Sequence, residues 1–371
     1  MPNPQTSESR RAWLRRQGWA LATLALAFAG GGLFAFLGMP AGWLSGALVA
    51  CAIAALAGAP VRVGRRVRDV TFVVLGTSIG AAVSPETLKG ITTWPVTMVV
   101  LMVSLPAMMI VVGLYLEKVA KWDRRSAFFA AAPGALSAVL IMAETSGADV
   151  RRVVFGQSLR LFVLVALLPA AMGGLGHQPA GTLPINPVVP DLYNLLLSLG
   201  AGAVGAFLFE RVRFPGGAMV GAMLTSGVLH GTGIVQGRLP DLLLIAGFGI
   251  LGANSGGRFA GTSLATLRRF FLDGLVALTL AVSVAFLFAV AAAWLAGEPL
   301  SKVFLAYVPG ALEAMTIMAF VLGVDPAFVA AHHLARFVGL SLALPLVVRF
   351  VFGPSAVPKA GTADPEAETK D

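Results

Sequence analysis

A chain of 371 residues that is 57% hydrophobic and only 12% charged is too apolar for a soluble domain, where about a quarter of residues carry charge. The net charge of +9 does not point to nucleic acid, because the Lys and Arg residues sit in short loops between long apolar runs and act there as topology determinants. Cys51 is the one cysteine, and His177, His230, His332 and His333 form no metal-binding helical pair, so no disulfide, no metal and no other cofactor is expected.

Residues 1–17 are polar and basic, with Arg10, Arg11, Arg15 and Arg16, and read as a cytoplasmic N-terminal segment. The apolar run 18–39 lacks a cleavage site and is expected to be an uncleaved first span. After Pro40 comes the run 41–58, then a loop carrying Arg62, Arg65, Arg66 and Arg68. The run 69–84 has Gly76 and Gly80 at a spacing that favours close helix packing. A loop with Glu86 and Lys89 leads to the run 92–116 and to the basic cluster Lys118, Lys121, Arg124 and Arg125. The fifth element, 126–145, contains Pro133-Gly134, and the sixth, 150–175, carries Arg160 inside it. Residues 176–190 hold no Lys or Arg and read as a non-cytoplasmic linker. Six elements then return, at 192–209, 215–235, 240–254, 270–296, 303–322 and 326–352, before a polar tail, 353–371, that is expected to be disordered and cytoplasmic. The chain thus divides into a first membrane repeat, 18–175, and a second, 191–352.

The duplication is explicit. Ala132-Pro133-Gly134-Ala135-Leu136-Ser137-Ala138 recurs 176 residues later as Val308-Pro309-Gly310-Ala311-Leu312-Glu313-Ala314. At the same offset Met142 falls on Met318, Gly147 on Gly323, Asp149 on Asp325, Arg160 on Arg336 and Pro169 on Pro345. Charge then decides the topology. If every element crosses, seventeen loop Lys and Arg fall inside and eight outside. If the Pro-Gly element enters and leaves on one side, twenty-two fall inside and only Lys89, Arg238 and Lys302 outside. The second count makes the number of spans per repeat odd, so the repeats face opposite ways. The expected fold is an all-α polytopic membrane protein: two inverted repeats of five spans each, plus a Pro-Gly-broken helix per repeat that is re-entrant or discontinuous.

Proline lacks an N–H and glycine a Cβ, so Pro133-Gly134 and Pro309-Gly310 can each break a helix and start a new half-helix whose free N–H groups hold an anion. The plainer alternative is a packing kink, but a pair at matched positions favours a site. Arg160 and Arg336 each lie ten residues into their helix, about 15 Å down and close to mid-depth. An intramembrane Arg is costly, and such a pair suits a carboxylate or other oxyanion. The structural alternative, that each Arg satisfies carbonyls of the adjacent break, carries comparable weight. Glu313, whose twin is Ser137, is the candidate for proton coupling or for pairing with Arg336. Gln157 and His333 are matched and share a face with the Arg three residues on. The substrate-binding candidates are therefore Pro133, Gly134, Ser137, Gln157, Arg160, Pro309, Gly310, Glu313, His333 and Arg336, with no catalytic or metal residue. Asp149 and Asp325 read as helix-start residues.

The doubled Pro-Gly-Ala-Leu-Ser/Glu-Ala stretch, each copy followed by Gly-x-Asp and an Arg-bearing helix, resembles the AbrB-type duplicated membrane family. Ala135 and Ala311 stand where that family more often has a second Gly. Members carry labels of an ammonia monooxygenase or of a regulator, and the resemblance implies a bacterial inner-membrane protein; the charge count above puts both termini in the cytoplasm. The residues give the monooxygenase label no support, since copper or iron chemistry needs clustered His or carboxylate ligands. Two functions follow as expectations: a secondary transporter of a small organic anion, coupled to a proton or ion, or a membrane-embedded regulator that affects gene expression indirectly without transport. The partners expected are membrane lipid and the small organic anion with its coupling proton or ion, not nucleic acid; homo-oligomerisation is left open.

Overall fold

The computed structural model describes residues 4–39, 41–81, 94–134, 136–173, 191–214, 216–237 and 239–353. Among these the regular structure is helical, and it falls into two sets of seven helices. The first set is α1 (Pro4–Phe36), α2 (Gly42–Leu56), α3 (Arg65–Gly80), α4 (Trp94–Leu114, continued by a π-turn over Tyr115–Val119), α5 (Arg124–Ala131), α6 (Leu136–Thr145) and α7 (Val150–Gly173). The second is α8 (Leu192–Arg211), α9 (Gly217–Gly231), α10 (Asp241–Gly256, ending in a 3-10 turn over Gly257–Phe259), α11 (Leu264–Ala296), α12 (Leu300–Tyr307), α13 (Leu312–Val321) and α14 (Pro326–Phe352). The linker expected at 176–190 and the tail beyond Gly353 lie outside the described residues.

Seven helices among the described residues are long and apolar enough to cross a membrane, which makes this a multi-pass membrane protein. They are α1, α4, α7, α8, α10, α11 and α14. The other three elements expected to span, α2, α3 and α9, have only 15 or 16 residues, so each is about 23 Å long, short of a hydrocarbon core about 30 Å thick.

The packing interleaves the two sets. Gly30 of α1 meets Gly46 and Ala50 of α2, whereas Gly42 meets Ala35, so α1 and α2 run antiparallel. Gly205 and Gly217 of the second set meet Gly221 and Phe209 in the same antiparallel sense, pairing α8 with α9. The crossed pairs are different. Gly76 and Gly80 of α3 meet Met219 and Met223 of α9, and Gly252 and Gly256 of α10 meet Leu44 and Leu48 of α2. A step of four residues on one helix matches four on the other, in the same direction, so both crossed pairs are parallel. A Cβ on Gly252 would lie 2.5 Å from Leu44 O, and one on Gly256 2.6 Å from Leu48 O, so only glycine permits these backbones to approach so closely. Exchanging the two sets also maps the contacts of α7 with α11 and of α14 with α4 onto one another and leaves the contact of α4 with α11 in place.

The broken elements are helical hairpins. In the first, Asp123 caps α5 by accepting from Ser126 N at 2.8 Å, and the chain leaves the helix at Ala132 in an extended conformation. Pro133 and Gly134 (φ +96°) turn it, and α6 returns. The two ends meet: Arg125 Nη1 donates to Ser146 O at 2.5 Å, and Asp149 N donates to Ser126 Oγ at 2.7 Å. In the second hairpin Lys302, which matches Ser126, lies 3.6 Å from Asp325 and 2.9 Å from Glu298. The arms have eight and ten residues, or about 12–15 Å, so each tip lies about half a bilayer core from its base. Asp149 and Asp325 are helix-start residues as expected: Asp149 Oδ1 accepts from Arg151 N and Arg152 N, and Asp325 Oδ1 from Ala327 N and Phe328 N.

Candidate functional site

Each hairpin tip is held by the long helix that follows it. Arg160 is 7% exposed and Arg336 2%, so neither guanidinium can be left to water. Arg336 Nη1 donates to Val308 O at 2.9 Å and Nη2 to Gly310 O at 2.6 Å. Arg160 Nη2 makes a longer bond, 3.4 Å, to Ala132 O, the residue matched to Val308. One turn earlier, Gln157 Nε2 donates to Phe129 O and Ala132 O, both at 3.3 Å, and the His333 ring nitrogen Nε2 lies 3.2 Å from Leu305 O. Residues 129 and 305 are again matched. Each polar side chain also binds its Arg: Arg160 Nη2 donates to Gln157 Oε1 at 2.9 Å, and Arg336 Nη2 to His333 Nδ1 at 2.6 Å. The break thus frees carbonyls that a helix would have used, and a guanidinium one helix away takes them.

The two tips are neighbours. Arg160 holds Ala132, and a Cβ placed on Gly134, two residues on, would lie 3.7 Å from Arg336 Nε. The first hairpin is therefore in contact with the Arg of the second set. A cavity of about 210 Å³ opens here. Its walls include seven of the ten residues singled out in the sequence: Gly134, Gln157, Arg160, Gly310, Glu313, His333 and Arg336. Pro133 and Pro309 are buried in the tips behind it. The Ser137 side chain lies outside the described part of the structure.

Three features make the cavity electropositive despite the carboxylate of Glu313 in the first turn of α13. Helix α13 begins at its wall, and the N-cap Ala311 offers no side-chain acceptor, so the first N–H groups of that helix carry no side-chain cap. Arg160 Nε is buried with no hydrogen-bond partner among the described residues. Arg258, from the 3-10 turn after α10, supplies a third guanidinium. Sequence reasoning did not single out Arg258 as a site residue. It lies just past the apolar run, where a basic residue counts as a loop marker; the signal was the polar run Asn254-Ser255 that precedes it.

A second, polar cavity of about 430 Å³ lies outside the first and shares Gly216, Arg258, Ala311 and Glu313 with it. Arg65, Arg68 and Arg213 line this vestibule, with Asp69 and Glu210. No three His, Cys, Asp or Glu side chains among the described residues are grouped so as to hold a metal ion.

The fold and the cavity define a multi-pass α-helical membrane protein with a duplicated, hairpin-broken core. Residues 43–352 match the family model described as transition state regulatory protein AbrB, and the chain belongs to that family. It is similar to the Escherichia coli (strain K12) protein named "Putative regulator AbrB", with 26% identity over 320 residues that cover 84% of this chain and 90% of that one. It is also similar to "Uncharacterized protein YhjN" of Bacillus subtilis (strain 168), with 27% identity over 356 residues, 88% of this chain and 92% of the relative.

Proposed function

We propose that the protein is a secondary transporter of a small organic anion in a bacterial inner membrane, with binding between two inverted repeats. One observation carries this reading: two matched hairpin tips and their two matched arginines, from opposite halves of the chain, converge on one cavity. Broken helices that meet at mid-depth between repeats are the usual place for a transported solute. The parallel crossed pairs α2–α10 and α3–α9 support inversion. If α2 and α3 cross in opposite directions, then α9 runs with α3 and hence against its own twin α2, and the second repeat is upside down relative to the first. Hairpins whose two ends meet support re-entry, and with it the positive-inside count that puts the termini in the cytoplasm. In that topology the Arg-lined vestibule faces the cytoplasm and draws anions inward.

The second reading, a membrane-embedded sensor that binds the anion without moving it, is favoured by the regulatory description of the family. Reconstitution into proteoliposomes separates the two. Uptake of a bound organic anion, lost in Arg160→Ala, supports transport. Saturable binding with no flux under either a substrate or a proton gradient overturns it in favour of the sensor.

A further inference from the structure

The inner cavity holds more positive charge than one monovalent anion balances. Its described ionised walls are the guanidiniums of Arg160, Arg258 and Arg336 and the carboxylate of Glu313. His333 adds no charge: Arg336 donates to its Nδ1, so the ring carries its one proton on Nε2, toward Leu305 O. Of the other vestibule acids, Asp69 is already engaged by Arg65 at 3.7 Å and Arg68 at 2.9 Å, and neither it nor Glu210 lines the inner cavity. Three guanidiniums against one carboxylate leave an excess of two charges in a confined space, where screening is far weaker than in water.

The excess is divided between two places. Arg160 and Arg336 belong to the hairpin tips, through Ala132 O and Gly310 O. Arg258 sits where cavity and vestibule join, since it lines both. Leu161, Leu312 and Phe337 make up apolar wall of the same cavity. That wall suits a carbon skeleton better than a compact inorganic oxyanion. The volume, about 210 Å³, falls below the ~300 Å³ at which pockets for drug-sized ligands begin, so the skeleton is short.

We infer that the cavity takes a short organic dianion of the dicarboxylate class, with one charged end at the hairpin tips and the other at Arg258. The inference rests on the reading of this cavity as an anion site and narrows it. Arg258 then sets the preference for two charges over one, and planar guanidinium–carboxylate pairing supplies the selectivity.

The test is calorimetric titration of the purified full chain with malonate, succinate and glutarate, with the matched monoanions propionate, butyrate and valerate, and with sulfate. Wild type is expected to bind its best dicarboxylate about ten-fold or more tighter than the matched monoanion. Arg258→Gln is expected to bring that ratio close to one by weakening the dicarboxylate alone, and Arg258→Lys, which keeps the charge, to retain part of it. Arg258 is exposed to the vestibule, so both variants are expected to fold, which circular dichroism checks. Equal affinity for di- and monoanions in wild type, or an equal loss of both in Arg258→Gln, overturns the dianion inference while the anion site stands. Sulfate binding tighter than every dicarboxylate overturns it too. If a folded wild-type protein binds none of the seven, the anion-site reading itself falls.

Discussion

Arg336 donates from Nη2 to His333 Nδ1 at 2.6 Å, and this bond fixes what His333 can do. With Nδ1 accepting, the ring proton sits on Nε2 and is given to Leu305 O. The imidazole is then a neutral tie between a guanidinium and a hairpin carbonyl. Gln157 performs the same two tasks in the first repeat, accepting from Arg160 through Oε1 and donating to Phe129 O through Nε2. His333→Gln is therefore expected to leave stability and anion binding close to wild type, within about 0.5 kcal/mol. His333→Ala is expected to cost roughly 1–3 kcal/mol by leaving Leu305 O and one Arg336 donor unpaired. Chemical denaturation and binding across pH 5–8 check both. If His333→Gln folds normally but abolishes proton-driven uptake, the ring is a proton carrier and the tie is secondary.

The two arginines differ in how fully the protein uses them. Among the described residues Arg336 spends three donor contacts on Val308 O, Gly310 O and His333, whereas Arg160 makes one long bond to a carbonyl and one bond to Gln157, with no partner for Nε. Arg336→Ala is thus expected to be the structural lesion, costing about 3–5 kcal/mol through stranded buried carbonyls. Arg160→Ala is expected to cost about half as much and to remove most anion affinity. Thermal melts of the two variants, with and without ligand, give the comparison. Equal destabilisation, with ligand response kept in Arg160→Ala, would contradict the division.

The hairpin tips need glycine for two separate reasons. Gly134 has φ +96°, where an L side chain is strained by about 1–3 kcal/mol whatever surrounds it. Gly310 is limited by packing, since a Cβ there would meet Met315 Sδ at 2.5 Å and Cε at 2.9 Å. Gly310→Ala is accordingly expected to be rescued by Met315→Ala, and Gly134→Ala to resist rescue by any single neighbour. A double-mutant cycle on melting free energy reads this directly; additivity at Gly310 and Met315 would remove the packing explanation.

Much of this arrangement was legible in the chain because it is written twice. The matched Pro133-Gly134 and Pro309-Gly310, with Arg160 and Arg336 at one offset, led to breaks facing arginines, and the structure joins them by hydrogen bonds. The crossed pairing of α2 with α10 and α3 with α9 was not legible. It depends on which small-residue stripe meets which, and Gly and Ala occur on nearly every helix here. The start of α3 at Arg65, rather than Asp69, was hidden for a related reason. A run of arginines reads as a loop, yet Arg65 and Asp69 pair at 3.7 Å across one helical turn and extend the helix. Arg258 was discounted because its position satisfies the positive-inside pattern whether or not it also faces a cavity. Composition places a charge on a side of the membrane; only packing says what it looks at.

Opposite entry of the two hairpins gives the sharpest prediction about topology. Arg124 opens the first hairpin and Pro299 precedes the second, and both are exposed at the hairpin bases. In a Cys51→Ala background the native thiol is removed cheaply. It is fully buried, its polar contact among the described residues is a weak one of 3.8 Å to Thr23 O, and losing a sulfur there costs about 1 kcal/mol. Pro299→Cys is then expected to react with a membrane-impermeant maleimide on intact cells, and Arg124→Cys only after the membrane is opened. This follows from the proposed topology: if each hairpin returns to the side it left, each repeat makes an odd number of crossings, so the second repeat starts on the opposite side and its hairpin enters from the other face. Labelling of both positions from one side would put the two hairpins on the same face. The convergence of their tips at Gly134 and Arg336 would then have to arise between hairpins that enter from one side, and the inverted-repeat basis of the transport reading would fall.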